Sequence, residues 1–419
     1  MAIPALSLLF FALASPLPFE VPGSHVEAYL HPAASQAAVE QKDAAVDPLA
    51  LSFDVVSRMP ARPHLKTRSR LQADLVQAAL DVGRLDDALA WAGKIENWRR
   101  GLALAHVAVF HANSGDEEGT RAALKVAEAA EAKILDEMDQ GWRRDRVRVR
   151  IAEAYALIGD RVKAAQIQAI TTPTESGRLA SMAVRTVAAS DQEKQLATLE
   201  QIAKTGDLEQ IRFAVLAMAE FYGQALRSPE GDEEGLSPKA VEDRIRAAWD
   251  KLPIEPRLDI LEKLANLEIE SGTKARAAQI AGEISAMVTE NRWNAEQGIG
   301  LRGRAASLLH RAGETKAARD LANEALALYE SSREGIYDIF RGEALRPLAR
   351  SFVTLGDHAT AAVIYERALE EAVHNPNSKP RATDIAMTAI SAATAPGFEM
   401  PKSLLRAFAA AETKIGTPW

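Results

Sequence analysis

LRPLARSFVTLGDHATAAVIYERALEEA, Leu345 to Ala372, decides the fold. An amphipathic run ends at Gly356, a polar residue follows, and a second amphipathic run begins with Ala361 five residues past the glycine. The glycine lets the chain leave the first helix through a left-handed conformation that costs other residues sterically. The alanine lets two antiparallel helices approach closely. This segment therefore predicts a helical hairpin.

Working outward, the same register recurs. Turn glycines stand at Gly83, Gly115, Gly159, Gly272, Gly313 and Gly356, and five of the six carry the alanine: Ala88, Ala164, Ala277, Ala318 and Ala361. Thr120 takes that place after Gly115, where the additional Gly119 predicts a longer turn. Less regular hairpins fill the gap, with turns expected near Ser190-Asp191 and in Ser228–Gly235, and a last pair breaks near Pro396-Gly397. Successive turns fall 31 to 44 residues apart, a helical-repeat period. Strand-like alternation is absent, so the expected class is all-α. A bundle has no reason to repeat both residues at a fixed offset, whereas a solenoid does.

The register resembles the tetratricopeptide repeat. Leu348, Ala349, Phe352, Gly356, Ala361, Tyr365 and Ala368 match the family pattern, and IAEAYALIGDRVKAA from Ile151 matches through Ala152, Tyr155, Gly159 and Ala164. Elsewhere the aromatic places hold Leu309, Ala79 or Glu268. The resemblance covers residues 69 to 374. It implies a right-handed α-solenoid of about nine antiparallel hairpins, with helices longer than the family's own because the commonest spacing is near 41.

The repeat domain spans 68–419. Ahead of it, Ala5 to Ala14 forms an apolar run ending in a small-x-small pattern before Ser15, so residues 1–14 read as a secretory signal and the chain as exported, periplasmic or secreted. The alternative is an anchor formed by residues 1–19, and membrane contact is expected only if that segment stays uncleaved. Residues 15–67, rich in Pro and Ala, read as a partly disordered linker with one short helix around Ala34 to Ala45.

Composition narrows the chemistry. Lys and Arg number 50 against 58 Asp and Glu, a net charge of -8, which disfavours a nucleic-acid partner. The absence of cysteine removes disulfides and thiolate chemistry. The one Gly-x-Gly-x-x-G, Gly298 to Gly303, lacks the preceding strand that a dinucleotide site requires, and reads as a loose start to a helix. No two of the eight histidines have metal-ligand helical spacing, and Gly115–Gly119 and Gly231–Gly235 read as solvated acidic turns. No cofactor is expected and no catalytic residue stands out.

The resemblance implies that the first helices line a groove, with residues three, six, ten and thirteen before the turn glycine facing it. Carried over, these include Arg146 and Glu153; Asp259, Glu262 and Asn266; Ser307 and His310; and Glu343, Arg346 and Arg350. Arg346 and Arg350, four apart, either hold a carboxylate together or pair with nearby Glu343 or Asp338. The family's carboxylate clamp needs a Lys where this chain has Glu262 beside Asn266. Arg143 to Arg150 is the densest basic cluster and reads as an exposed helix face or an acidic-partner site. The expectation is a non-catalytic scaffold or adaptor that binds a protein or peptide of mixed charge. The alternatives are an assembly subunit of an envelope complex, or a hydrolase built on a helical toroid.

Overall fold

The computed structural model describes residues 46–134, 141–171, 189–227 and 236–419. The signal-like run, the helix expected at Ala34 to Ala45 and the second acidic loop lie outside these residues, and Ser190 and Asp191, where a turn is expected, lie instead at the start of a helix, Ala189–Thr205. Among the described residues the chain is helical with no strand, as its periodicity predicts. None of their helices is long and apolar enough to cross a membrane.

Among the described residues eighteen α-helices follow in order, beginning with α1 Pro48–Ser57, α2 Ala61–Asp81, α3 Leu85–Gly93, α4 Arg99–Asn113, α5 Glu117–Glu131, α6 Gly141–Leu157, α7 Arg161–Ala169, α8 Ala189–Thr205 and α9 Leu208–Arg227. The second half comprises α10 Pro238–Ala248, α11 Ile254–Glu270, α12 Lys274–Glu290, α13 Ala295–Arg311, α14 Thr315–Ser332, α15 Asp338–Thr354, α16 His358–His374, α17 Ser378–Ala393 and α18 Lys402–Thr413. Each of the six turn glycines has positive φ, between 74° and 104°, and Gly397 joins them at 71°. The alanines five residues on are buried to 4% exposure or less. Thr120 is buried in the same way, and its hydroxyl donates to the Asp116 carbonyl. The turn at Gly115 is no longer than the others. Gly119 lies inside α5, where a side chain would collide with Asp116 and His111, which hydrogen-bond each other at 2.7 Å.

The helices form two compact units. The first comprises residues 84–280 and the second residues 46–83 with 281–419. In the first, α4 packs on α5 and α6, α6 on α7, and α9 on α8, α10 and α11. In the second, α13 packs on α14 and α15, α15 on α16 and α17, and α16 on α17 and α18. First helices thus stack on the first helices of the next hairpin. Gly298 to Gly303 sits within α13, so it is regular helix rather than a loose helix start. A Cβ at Gly303 would lie 3.2 Å from the backbone nitrogen of Leu348, so this position allows α13 and α15 to touch along their backbones.

The second unit corrects the expected linker. Residues 46–67 fold as α1 and the start of α2. Asp47 caps α1 by accepting from Leu49 N at 3.1 Å and Ala50 N at 3.2 Å, and Pro48 occupies the first turn, where its missing N–H costs nothing. Leu49, Phe53, Val55, Val56 and Met59 are fully buried or nearly so. Their helix packs on α17 and α18, and α2 also reaches α17. Arg58 pairs with Glu412 across this contact. Helices α1 and α2 therefore complete the packing of the hairpin formed by α17 and α18.

Candidate functional site

The densest basic cluster acquires a definite shape at the starts of α4 and α6. Trp98 is the N-cap of α4 and Trp142 the second residue of α6. Gly101 and Val147 bring these helices together, because a Cβ on Gly101 would lie 3.2 Å from Val147 Cγ1. The two indoles then meet edge to face with centroids 5.5 Å apart. The Arg99 guanidinium lies 4.6 Å from the Trp98 ring centroid, Arg146 4.6 Å from that of Trp142, and Arg143 5.6 Å from the latter. Such stacking orients each guanidinium plane while keeping its charge.

Around this edge, acids already hold the other arginines. Glu131 accepts from Arg144 Nε at 2.6 Å and from Arg148 Nε at 2.7 Å. Arg148 also reaches Asp145 at 3.1 Å, and Arg150 donates to Glu153 at 2.6 Å. The expected bare helix face is thus mostly a neutralised network. Arg100 stands exposed with no ion pair among the described residues, and Arg143 Nε is buried without an acceptor. The first turns of α4 and α6 carry no acid, so both partial positive helix ends add to the same potential. Trp142 remains 36% exposed.

The second unit displays an aromatic at the corresponding place. Tyr337, the N-cap of α15, is 75% exposed and Ile339 beside it is also exposed. Their loop is held from below. Arg341 Nε donates to the carbonyls of Arg333 at 3.1 Å and Ile336 at 2.9 Å, and Arg333 and Arg341 both reach Glu371. Burial pushes the Glu371 carboxyl up, but hydrogen bonds from Arg333, Arg367 and Tyr329 outweigh it and hold the group at about 2. An open depression of about 520 Å³ lies between Arg333, Tyr337 and His374.

The ten positions carried over as a groove divide between the two units. Arg146, Glu153, Asp259, Glu262 and Asn266 belong to the first unit, and Ser307, His310, Glu343, Arg346 and Arg350 to the second. Glu153, Glu262 and Ser307 are buried, because first helices pack on first helices and leave these faces inside. Asp259 pairs with Arg212 at 3.1 Å, and Asn266 is half-buried with a partner of its own. His310 lies 3.2 Å from Thr315 Oγ1, its pKa lowered by burial and by Arg319. Glu343 is exposed.

Arg346 and Arg350 hold neither a common carboxylate nor Glu343 or Asp338. Arg346 donates to Asp384 on α17 at 2.8 Å. Arg350 donates to the hydroxyl and carbonyl of Thr394 at 2.7 and 3.0 Å. Both therefore fasten α15 to the next hairpin. Of the ten, Arg146 alone enters the Trp98–Trp142 edge.

The signal that sequence reasoning passed over is a second repeat. Trp98-Arg99-Arg100 recurs 44 residues later as Trp142-Arg143-Arg144, and Trp293 and Tyr337 stand 44 apart before α13 and within the cap of α15. An aromatic recurs where a hairpin hands over to the next.

Among the described residues no group of three His, Cys, Asp or Glu side chains is placed to hold a metal ion. No family model matches the chain, and no curated protein matches it. A solved structure described as "Circular tandem repeat protein with novel repeat topology and enhanced subunit contact surfaces" is 18% identical, with 88% of this chain and 82% of that chain covered and a TM-score of 0.17.

Proposed function

We propose that this chain is an exported, non-catalytic scaffold of tetratricopeptide-like hairpins, and that it holds a partner polypeptide. The observation that carries the reading is the Trp98–Trp142 pair with its arginines. Trp and Arg dominate the energetics of protein interfaces, because each offers a large, stiff contact surface together with hydrogen-bond donors. Here they sit on helix ends fixed by backbone packing, so little ordering cost remains for the moment of binding. The tetratricopeptide assignment draws on the Gly and Ala register and on Phe352 and Tyr365, both fully buried.

The test uses the tagged full chain and a Trp98→Ala/Trp142→Ala double variant whose helix content and melting are first shown to match the parent's. A defined partner recovered from envelope and secreted fractions by the parent, and lost by the variant, is the expected result. Identical recovery by both would remove this edge from the function.

A further inference from the structure

The charge left over at the Trp98–Trp142 edge has a consequence for what can dock there. Arg144, Arg148 and Arg150 are neutralised by Glu131, Asp145 and Glu153. Arg100 and Arg143 have no ion pair among the described residues, Arg143 Nε is buried without an acceptor, and the two helix ends beside them have no acid in the first turn. A neutral or basic segment laid over this edge would shield these charges from water without compensating them, at a cost in desolvation. A carboxylate-bearing segment supplies the acceptors. The aromatic component is equally specific, since the exposed part of Trp142 offers an apolar surface between Arg143 and Arg146.

Building on the scaffold reading, we propose that this edge binds an acidic segment of a partner polypeptide. Aspartate or glutamate carboxylates lie on Arg100 and Arg143, and an apolar side chain lies on Trp142. A polypeptide suits the site better than nucleic acid, whose repeating phosphates need a continuous basic surface. Two arginines without an ion pair among the described residues, on a chain of net charge -8, do not make one.

An array of random 12-residue peptides, probed with the intact chain, separates this proposal from the scaffold reading beneath it. Bound peptides are expected to be enriched in Asp and Glu. The best of them should lose about tenfold in affinity when its acids become Asn and Gln, or when the chain carries Arg100→Glu with Arg143→Glu. It should also weaken as salt rises.

Binders without acidic bias that still require Trp142 would overturn the acidic assignment and leave the scaffold standing. If nothing on the array binds better than to an unrelated helical protein, both fall. A single-stranded oligothymidine that binds more tightly than any acidic peptide would make the edge a nucleic-acid surface and overturn the proposal. Arg100 is exposed, so Arg100→Glu alone provides a readout should the double variant misfold.

Discussion

Tyr329 on α14 donates its phenol to Glu371 on α16 at 3.0 Å, joining the second helix of one hairpin to that of the next. The same carboxylate accepts from Arg333 at 2.7 and 3.0 Å and from Arg367 at 3.0 Å. One buried acid thus fastens two hairpins and the loop that displays Tyr337. Related Tyr–Glu contacts occur between Tyr155 and Glu128, and between Tyr222 and Glu268. The last places Glu268, an acid at an aromatic place of the repeat, under a tyrosine from the neighbouring first helix.

Glu371→Gln should destabilise the second unit by about 3 kcal/mol, because several cationic donors lose the charge they were arranged around. Chemical denaturation monitored by circular dichroism measures this.

The acid limb of stability follows from two carboxylates that act in opposite senses. Glu371 titrates at about 2 in the fold against a usual 4.5, so its contribution is complete above the usual value and lost as pH falls toward 2. Asp384 is held above its usual value by burial, despite Arg346, so stability declines as pH rises past 3.8. Comparing denaturant midpoints against pH for the parent, Glu371→Gln and Asp384→Asn checks both signs. Glu371→Gln should flatten the acid loss and Asp384→Asn should steepen it.

Gly101→Leu should separate the two indoles, because the added atoms need space that Val147 fills. The cost should be about 1–3 kcal/mol, the usual penalty of overpacking. Near-ultraviolet circular dichroism should lose the signal of the edge-to-face pair, and peptide binding at the edge should weaken in parallel.

A protease site inserted between Gly83 and Arg84 tests how α1 and α2 are held. After cleavage the fragment containing α1 and α2 should stay with the remainder on size exclusion, because α1, whose Phe53, Val55 and Val56 are buried, packs on α17 and α18, and α2 also reaches α17. Burial of about 1.5–3 kcal/mol per such side chain supports retention. Elution of the fragment alone in native buffer would contradict it.

The hairpin register was legible because glycine and alanine are each demanded by a local requirement, one a positive φ and the other a close helix approach. Asp47-Pro48 was equally local, a cap followed by a first-turn proline, but the surrounding Pro and Ala composition hid it. The groove positions were not legible. Whether Glu153 or Ser307 faces solvent depends on how the neighbouring first helix is stacked, which no residue of their own hairpin encodes. The Trp98–Trp142 edge lay between these cases. Its triplet repeats openly, yet its offset from the turn glycine differs from that of Trp293 or Tyr337, so a search keyed to the glycines passes over it.

The seating of α1 against α17 and α18 also sets an order of events in time. Synthesised well before α17 and α18, α1 has only α2 among its described neighbours to pack on until those two helices are made. Through that interval Phe53, Val55 and Val56 are a sticky stretch awaiting a distant counterpart. Docking of α1 on α17 and α18 closes a long loop, a non-local contact of the kind that forms slowly.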